Sequence, residues 1–145
     1  MADSADIIRV TPDPLDVAAL MKAVRTSGTG ALASFVGVVR DEDQGRRVHH
    51  LVYEAYPPMA DKELARIAGE MRERWRLTGV ALTHRTGRLE IGEASVAIVV
   101  AAAHRREALE ACAFAIESIK KTVPIWKKEF RDEAEEWIIG DPSRP

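Results

Sequence analysis

The sequence predicts an α+β fold with antiparallel or mixed sheets and three main helices, in a single domain over residues 1–145. Two observations lead to this prediction. Strand-like and helix-like segments follow the order β-α-β-β-α-β-β-β-α-β-β, and strands that are paired between helices favour antiparallel or mixed pairing over a doubly wound parallel sheet. The chain has 145 residues, 46% apolar and 30% charged, which is typical of one globular domain with its own core.

The composition excludes several classes of protein. The single cysteine, Cys112, excludes an internal disulfide and argues against a cysteine-based zinc site, and we expect neither a metal nor a cofactor. A net charge of −2 argues against bulk affinity for nucleic acid. The longest apolar run, residues 96–103, is far shorter than the span of about 20 residues that a membrane helix needs. Because the first residues also lack a signal-peptide pattern, the expected compartment is the cytoplasm.

The first half of the chain begins with a predicted strand over residues 7–10. Asp13 before Pro14 predicts the start of a helix, with aspartate as N-cap and proline at the first helical position. The apolar side chains that follow have helical spacing: Val17, Leu20, Met21 and Val24. Residues 31–40 are mostly apolar, so we expect a strand that is buried on both faces and ends at Arg40.

The middle of the chain contains one helix between strands. Residues 48–56 alternate as a strand does, and Pro57 opens a helix after them. The apolar stripe of that helix is Leu64, Ile67, Ala68, Met71 and Trp75. A new sheet segment begins at Gly79, Gly92-Glu93 predicts a hairpin turn, and residues 94–103 are the strongest predicted strand.

The last part of the chain predicts a helix followed by a hairpin. The helix covers about residues 104–121 and ends before Pro124, because proline disfavours a helical residue in front of it. Its buried stripe is Ala108, Cys112, Ala115 and Ile119. Residues 125–130 and 136–139 then predict the two strands of a final hairpin.

Charge is unevenly distributed near the end of the chain. Residues 104–131 hold seven Lys or Arg and four acids, whereas residues 132–145 hold five acids and one Arg. His104, Arg105 and Arg106 fall where a strand gives way to a helix, and a helix N-terminus favours an anion. On these residues alone, an anion site and a solvated helix start are about equally favoured.

Two lysines flank the break at Pro124. Lys120 and Lys127 lie on either side of Pro124 and Trp126, so they are placed to converge on one cleft. Neighbouring positive charges lower the pKa of a lysine and make its neutral amine more available. The alternative is a solvated last turn of the helix, where lysines suit the helix dipole, and the residues alone favour that alternative.

The other candidates for chemistry have simpler interpretations. His49 and His50 are successive strand residues, face opposite ways and cannot chelate one metal together. His84 is interpreted as structural, and Cys112 as a buried, inert thiol on an apolar helix face. The three tryptophans are interpreted as core or interface anchors: Trp75, Trp126 and Trp137.

Five segments of the chain form an ordered set of motifs. They are FVGVVRD at 35–41, LVYEAYPPMADKEL at 51–64, HRTGRLEIGEASV at 84–96, AAAHRREAL at 101–109 and IKKTVPIWKKE at 119–129. In this order they resemble the motifs of one family, the large (catalytic) subunit of molybdopterin synthase. The similarity runs from about residue 30 to residue 137, nearly the whole chain.

The resemblance implies a sulfurtransferase of molybdenum cofactor biosynthesis. The implied reaction inserts two sulfur atoms into cyclic pyranopterin monophosphate to form the dithiolene of molybdopterin. The implied sulfur donor is the thiocarboxylate on the C-terminal Gly-Gly tail of a small ubiquitin-like subunit. The resemblance further implies an α/β-hammerhead-like fold and a homodimer that carries one small subunit at each outer end, a heterotetramer in all.

The resemblance also implies roles for five residues. Lys120 and Lys127 match the catalytic lysines of the family, and Arg40, His104 and Arg105 match its substrate-binding residues. These positions coincide with the lysine cleft and the anion site that the residues themselves indicate.

One departure from the family pattern and two alternative functions stay open. The family pocket can take an arginine from the C-terminal region of the other protomer, but after Trp137 this chain has no arginine before Arg144. The strand at 94–103 is predicted to offer an exposed edge for the dimer. The alternative functions are a non-enzymatic RNA-binding module that uses the basic stretch, and a phospholigand sensor without chemistry.

Overall fold

The computed structural model describes residues 6–131 with their side chains and the backbone of residues 135–139. Nine strands and three helices alternate along this part of the chain. In order they are β1 (Ile7–Thr11), α1 (Val17–Val24), β2 (Ala31–Val38), β3 (Glu42–Asp43), β4 (Arg46–Ala55), α2 (Pro57–Arg74), β5 (Gly79–Arg85), β6 (Gly87–Glu90), β7 (Ala94–Ala102), α3 (Arg105–Thr122), β8 (Ile125–Arg131) and β9 (Glu135–Ile139). The predicted α+β class with three main helices is confirmed, and the short β3 is an additional strand.

The first sheet has four strands in the order β1-β5-β7-β2 and is mixed. β1 and β5 run parallel, and the other neighbours are antiparallel. β7 therefore lies inside the sheet, and eight of its nine residues are buried. The prediction of an exposed dimer edge at residues 94–103 is wrong, because β5 and β2 occupy both sides of this strand. A continuous apolar run is what a strand buried on both faces requires.

The second sheet contains the order β3-β4-β8-β9, and β6 pairs with β4 beside this path. β8 and β9 are antiparallel, which confirms the predicted final hairpin. The predicted hairpin at Gly92-Glu93 is wrong, because β6 belongs to the second sheet and β7 to the first. A turn does occur there: Gly92 has a φ of 87°, and this backbone conformation carries the chain from one sheet to the other.

The helix starts depend on local capping. The prediction of Asp13 as the cap of α1 is wrong by one turn: Asp16 is the N-cap, and its Oδ1 accepts a hydrogen bond of 3.0 Å from the backbone N–H of Ala19. α2 begins at Pro57, as predicted, because proline is tolerated at the first helical position. α3 begins directly after His104 and ends before Pro124, close to its predicted bounds.

β2 is shorter and more exposed than predicted. The strand ends at Val38, and Val36 and Val38 are 36% and 48% exposed. α1 has only eight residues and packs against β5 and β7, so it leaves this half of β2 uncovered. The expectation of burial on both faces is therefore wrong for β2, whereas β7 is buried almost throughout.

The main core lies between the first sheet and helices α2 and α3. The predicted stripes of both helices are buried in it, apart from Trp75, which is only partly buried and follows the last residue of α2. Cys112 is buried on α3, and burial raises the pKa of its thiol to about 11, in agreement with an inert thiol. A smaller core between the two sheets contains Val39, Leu51, Tyr53 and Leu89. In the described part of the chain, every helix is too short or too polar to cross a membrane.

Candidate active site

Lys120 and Lys127 lie close enough to affect each other electrostatically. Lys120 is in the last turn of α3, and Lys127 is the third residue of β8, directly beyond the break at Pro124. Burial, reinforced by the positive charge of Lys127, lowers the pKa of Lys120 to about 8. Lys127 has a side chain only 14% exposed. The predicted convergence of the two lysines is therefore present, in a partly buried region that we call the lysine cleft, and the solvated alternative does not apply to these two residues.

The neighbouring lysines point elsewhere. Lys121 is exposed on α3. Lys128 lies on the outer face of the second sheet, with its Nζ 5.4 Å from the centre of the Phe130 ring. Consecutive residues on a strand face opposite ways, and residues one apart on a helix differ by about 100°. One lysine of each pair thus faces the cleft.

His84 and Tyr53 line the buried side of the lysine cleft. Their rings meet edge to face with centres 5.0 Å apart, and both residues are about 5% exposed or less. Burial, with a contribution from the charge of Lys120, lowers the pKa of His84 to about 4, so its imidazole is neutral at physiological pH. The Nδ1 atom of His84 lies 2.8 Å from the carbonyl oxygen of Arg85, which can only accept, so Nδ1 carries the proton.

Tyr53 connects this wall to Lys127. The two residues are register partners in the antiparallel pair of β4 and β8, so their side chains share the inner face of the second sheet. Burial raises the pKa of the Tyr53 phenol, while its hydrogen bond with Ser95 opposes that shift. The wall formed by His84 and Tyr53 is therefore neutral. On this side of the lysine cleft, the positive charge is carried by Lys120 and Lys127.

Glu129 is the acidic partner of Lys127. Its Oε1 lies 3.8 Å from the Nζ of Lys127, and its side chain is 2% exposed. Glu129 was not predicted to belong to the site, and His84 was interpreted only as structural. The spacing of Glu129 two residues after Lys127 on a predicted strand, which places both on one face, was the available signal. The burial of His84 beside Lys120 has no local signal, because the two residues lie on different elements far apart in the chain.

Arg40 is exposed on the turn between β2 and β3. It lines a cavity of about 530 Å³ with Ile91 and Gly92 of the crossing turn. The backbone on either side of Arg40 is held by hydrogen bonds: the N–H of Val39 donates to Glu93 at 3.0 Å, and the N–H of Val48 donates to Asp41 at 2.8 Å. Arg40 thus sits on a well-supported turn and offers its guanidinium to solvent.

His104 and Arg105 lie at the opposite end of α3 from Lys120. His104 is the N-cap, Arg105 is the first helical residue, and both are exposed. His104 lines a separate cavity of about 520 Å³ together with Trp75, Arg106 and Glu110. Lys120 lies sixteen positions after His104 along the helix, a distance of about 24 Å at 1.5 Å per residue. Within one chain, the structure therefore does not bring the predicted substrate-binding pair to the lysine cleft.

The remaining candidates are a metal site and the C-terminal Arg144. Among residues 6–131 and 135–139, no group of three His, Cys, Asp or Glu is arranged to hold a metal ion. Arg144 lies outside the described residues.

Comparison with known proteins gives consistent results. A family model described as "MoaE protein" matches residues 10–122. The molybdopterin synthase catalytic subunit of Pyrococcus abyssi is 46% identical over 134 residues, which cover 92% of this chain and 90% of the relative. The human molybdopterin synthase catalytic subunit is 40% identical over 92% of this chain and 71% of its own length.

Solved structures agree in fold. The structure of molybdopterin synthase from Staphylococcus aureus superimposes with a TM-score of 0.84 at 37% identity, covering 95% of this chain and 98% of that chain. The resemblance drawn from the five motifs is thereby confirmed, and the chain belongs to the MoaE family, whose curated members include molybdopterin synthase catalytic subunits.

Proposed function

We propose that this chain is the catalytic subunit of a molybdopterin synthase and transfers sulfur to cyclic pyranopterin monophosphate. The sulfur donor is the C-terminal thiocarboxylate of a small ubiquitin-like subunit. The observation that carries the proposal is the pair of partly buried lysines on either side of Pro124, in a chain of this family. We also propose the cytoplasm as the compartment, which fractionation of cells expressing the tagged chain tests.

The two lysines have different environments and therefore different roles. With a pKa of about 8, Lys120 exchanges a proton near neutral pH and acts as a general acid or base. Lys127 lies beside the carboxylate of Glu129, which favours its ammonium form. A fixed ammonium stabilises the negative charge that develops as the thiocarboxylate sulfur is transferred. The neutral wall of His84 and Tyr53 keeps this side of the cleft poor in water.

The substrate phosphate is held by Arg40, His104 and Arg105. Arginine binds phosphate with two parallel hydrogen bonds, and the N-terminus of α3 adds unpaired backbone N–H donors. Because a rigid helix separates His104 and Arg105 from Lys120 in one chain, a second copy must supply the phosphate-binding end of α3 to each lysine cleft. This requirement supports the homodimer that the motif resemblance implies.

The lysines test the proposal directly. Turnover is measured with purified thiocarboxylated small subunit and the pterin substrate for Lys120→Ala and Lys127→Ala. We expect a loss of about a hundredfold or more for each, as is typical when a key electrostatic group is removed. Lys121→Ala and Lys128→Ala are the matched controls, with mild expected effects because these side chains face away from the cleft.

The same series distinguishes the alternative functions. Equal losses of turnover in all four variants would mean that the lysines form only a basic docking patch. The same conclusion would apply if each loss of turnover matched a loss of small-subunit binding. Binding of generic RNA by the wild-type chain without turnover would support the RNA-binding alternative. Tight binding of the pterin without any sulfur transfer would support a phospholigand sensor.

A further inference from the structure

Four charged side chains form a buried chain that begins at Lys127. Their exposed fractions are 14% for Lys127, 2% for Glu129, 7% for Arg131 and 10% for Asp43. Charged side chains are seldom buried to this degree, since removing them from water is costly. An arrangement that buries two acids and two bases together therefore needs an explanation.

The distances divide the carboxylate of Glu129 between two cations. Its Oε1 faces the Nζ of Lys127 at 3.8 Å. Its Oε2 accepts hydrogen bonds from Arg131, 2.6 Å from Nη2 and 3.0 Å from Nε. The same Nη2 of Arg131 also reaches the Oδ2 of Asp43 at 3.4 Å. Arg131 thus contacts both acids, and Glu129 and Asp43 also share a hydrogen bond.

The chain of charges joins the two parts of the proposed site. Lys127, Glu129 and Arg131 alternate along β8, so they share its inner face. Asp43 is in β3, three residues after Arg40 on the turn that carries the proposed phosphate ligand. The link from Asp43 to Lys127 therefore runs from the Arg40 turn to the lysine cleft.

A stabilising role alone does not account for this arrangement. Well-packed apolar side chains generally stabilise a fold at least as much as a buried ion pair does. Buried ionic groups do, however, fix one geometry, because every alternative leaves an unpaired buried charge. The four buried charges therefore hold Lys127 in a fixed position relative to the Arg40 turn.

We propose that Asp43 and Arg131 are positioning residues for sulfur transfer, which hold the Glu129 carboxylate against Lys127 and fasten the Arg40 turn to β8. The inference rests on the proposed role of Lys127 in catalysis. Neither Asp43 nor Arg131 touches the substrate in this account; both act through Glu129.

The two positioning residues act on Glu129 with opposite signs. Burial raises the pKa of Glu129, as does the Asp43 carboxylate, which accepts a hydrogen bond from the protonated acid, whereas Arg131 and Lys127 lower it. Tyr53 of β4 faces the same carboxyl group. Glu136 of β9 is the register partner of Glu129. Loss of Arg131 should therefore favour the protonated acid, and loss of the Asp43 charge should favour the carboxylate.

The test compares Arg131→Met with Asp43→Asn in the complex with the thiocarboxylated small subunit. Turnover against pH should show an acid limb set by Glu129. We expect the limb to move to higher pH by about one unit in Arg131→Met and to lower pH in Asp43→Asn. Carbon-13 NMR of labelled glutamate should show the Glu129 titration moving in the same two directions. Arg131→Lys should restore part of the wild-type pH profile of turnover, since lysine supplies a cation but lacks the planar guanidinium that donates two parallel hydrogen bonds.

The matched control is Arg88→Met. Arg88 pairs with Glu90 at 2.7 Å with the same two-residue spacing on a strand of the second sheet, but both side chains are more than half exposed. Its pH profile should equal that of the wild type.

Two results would separate the inference from the proposed function. Arg131→Met and Asp43→Asn could lower the melting temperature while their pH profiles and the Glu129 titration stay as in the wild type. That result would mean that the network is purely structural, and it would overturn the inference. Wild-type turnover in Lys127→Ala would instead overturn the proposed role of Lys127.

Discussion

The two ends of α3 carry positive charge in different environments. At the N-terminal end, His104 and Arg105 are exposed at a helix start. At the C-terminal end, Lys120 is partly buried, next to Lys127 and His84, and its pKa is lowered to about 8. Exposed cations bind an anion by charge and hydrogen bonding, while a buried amine with a lowered pKa also exchanges protons. Binding and chemistry are thus assigned to opposite ends of one rigid element.

The largest effect should come from Lys120→Arg. Arginine keeps the positive charge but stays protonated at every accessible pH, so it cannot replace an amine that exchanges a proton. We expect turnover to fall on the order of a hundredfold while small-subunit binding is retained. Lys121→Arg, on the exposed side of the same turn, should behave as the wild type. Full activity in Lys120→Arg would mean that both ends of α3 supply only charge.

Arg105→Ala should weaken substrate binding and spare the chemical step. Loss of one charged hydrogen bond is worth about 1.5–3 kcal/mol, so the Kd of the pterin should rise roughly 10- to 150-fold. The value of kcat at saturating substrate should change much less. A collapse of kcat at unchanged substrate affinity would contradict the division between the two ends.

Mixing variants tests whether the two ends meet across a dimer. Arg105→Ala and Lys120→Ala chains, each nearly inactive at low substrate, are unfolded together and refolded at equal amounts. If each site combines Lys120 of one copy with Arg105 of the other, roughly a quarter of the wild-type sites should be intact by statistical pairing in a two-fold dimer. Activity no higher than that of the parent variants would exclude the shared site.

Acid stability should reflect the buried wall at the C-terminal end. The pKa of His84 is about 4 when folded and 6.5 as its ordinary value, so the unfolded chain binds the proton more readily. Stability should therefore rise with pH between about 4 and 6.5 and be lost as pH falls through this window, by up to about 3 kcal/mol. His84→Phe should flatten this slope in urea titrations at several pH values. An unchanged slope would mean that other groups dominate acid unfolding.

The smallest effect is expected for Arg106→Met. Arg106 pairs with Glu110 at 3.2 Å on α3, with side chains 81% and 48% exposed. Solvent screens such an exposed pair, so it contributes little to stability. Stability and the Kd of the substrate should therefore stay close to wild type. A Kd change as large as that of Arg105→Ala would extend the phosphate site along the helix.

Local signals predicted the helices and the lysine pair. Proline at Pro57 and Pro124 set helix ends that the structure confirms, and apolar spacing identified the buried faces of α2 and α3. Lys127 and Lys128 face opposite ways because side chains alternate along a strand, which is a local property. The cap of α1 was misjudged because two aspartates lie within four residues, and it is Asp16 whose side chain accepts from the backbone N–H of Ala19.

Long-range pairing set the features that the sequence did not reveal. Both β6 and β7 were predicted as strands, but their partners were not. β6 pairs with β4 and not with its sequence neighbour β7, and β7 lies in the middle of the first sheet. The contacts of His84 with Tyr53 and of Arg131 with Asp43 join segments 31 and 88 residues apart. No local pattern encodes such partners.

By itself, the sequence determined the succession of elements, the family and the two lysines that flank Pro124, because periodicity, proline and motif spacing act within a few neighbouring residues. Only the tertiary structure decided which charges are buried together and which stay exposed. A pKa depends on water and charges within a few ångströms in space, and distant segments supply them: β5 and β4 around Lys120 and Lys127, and β3 beside Glu129. The length of α3 then sets His104 apart from Lys120.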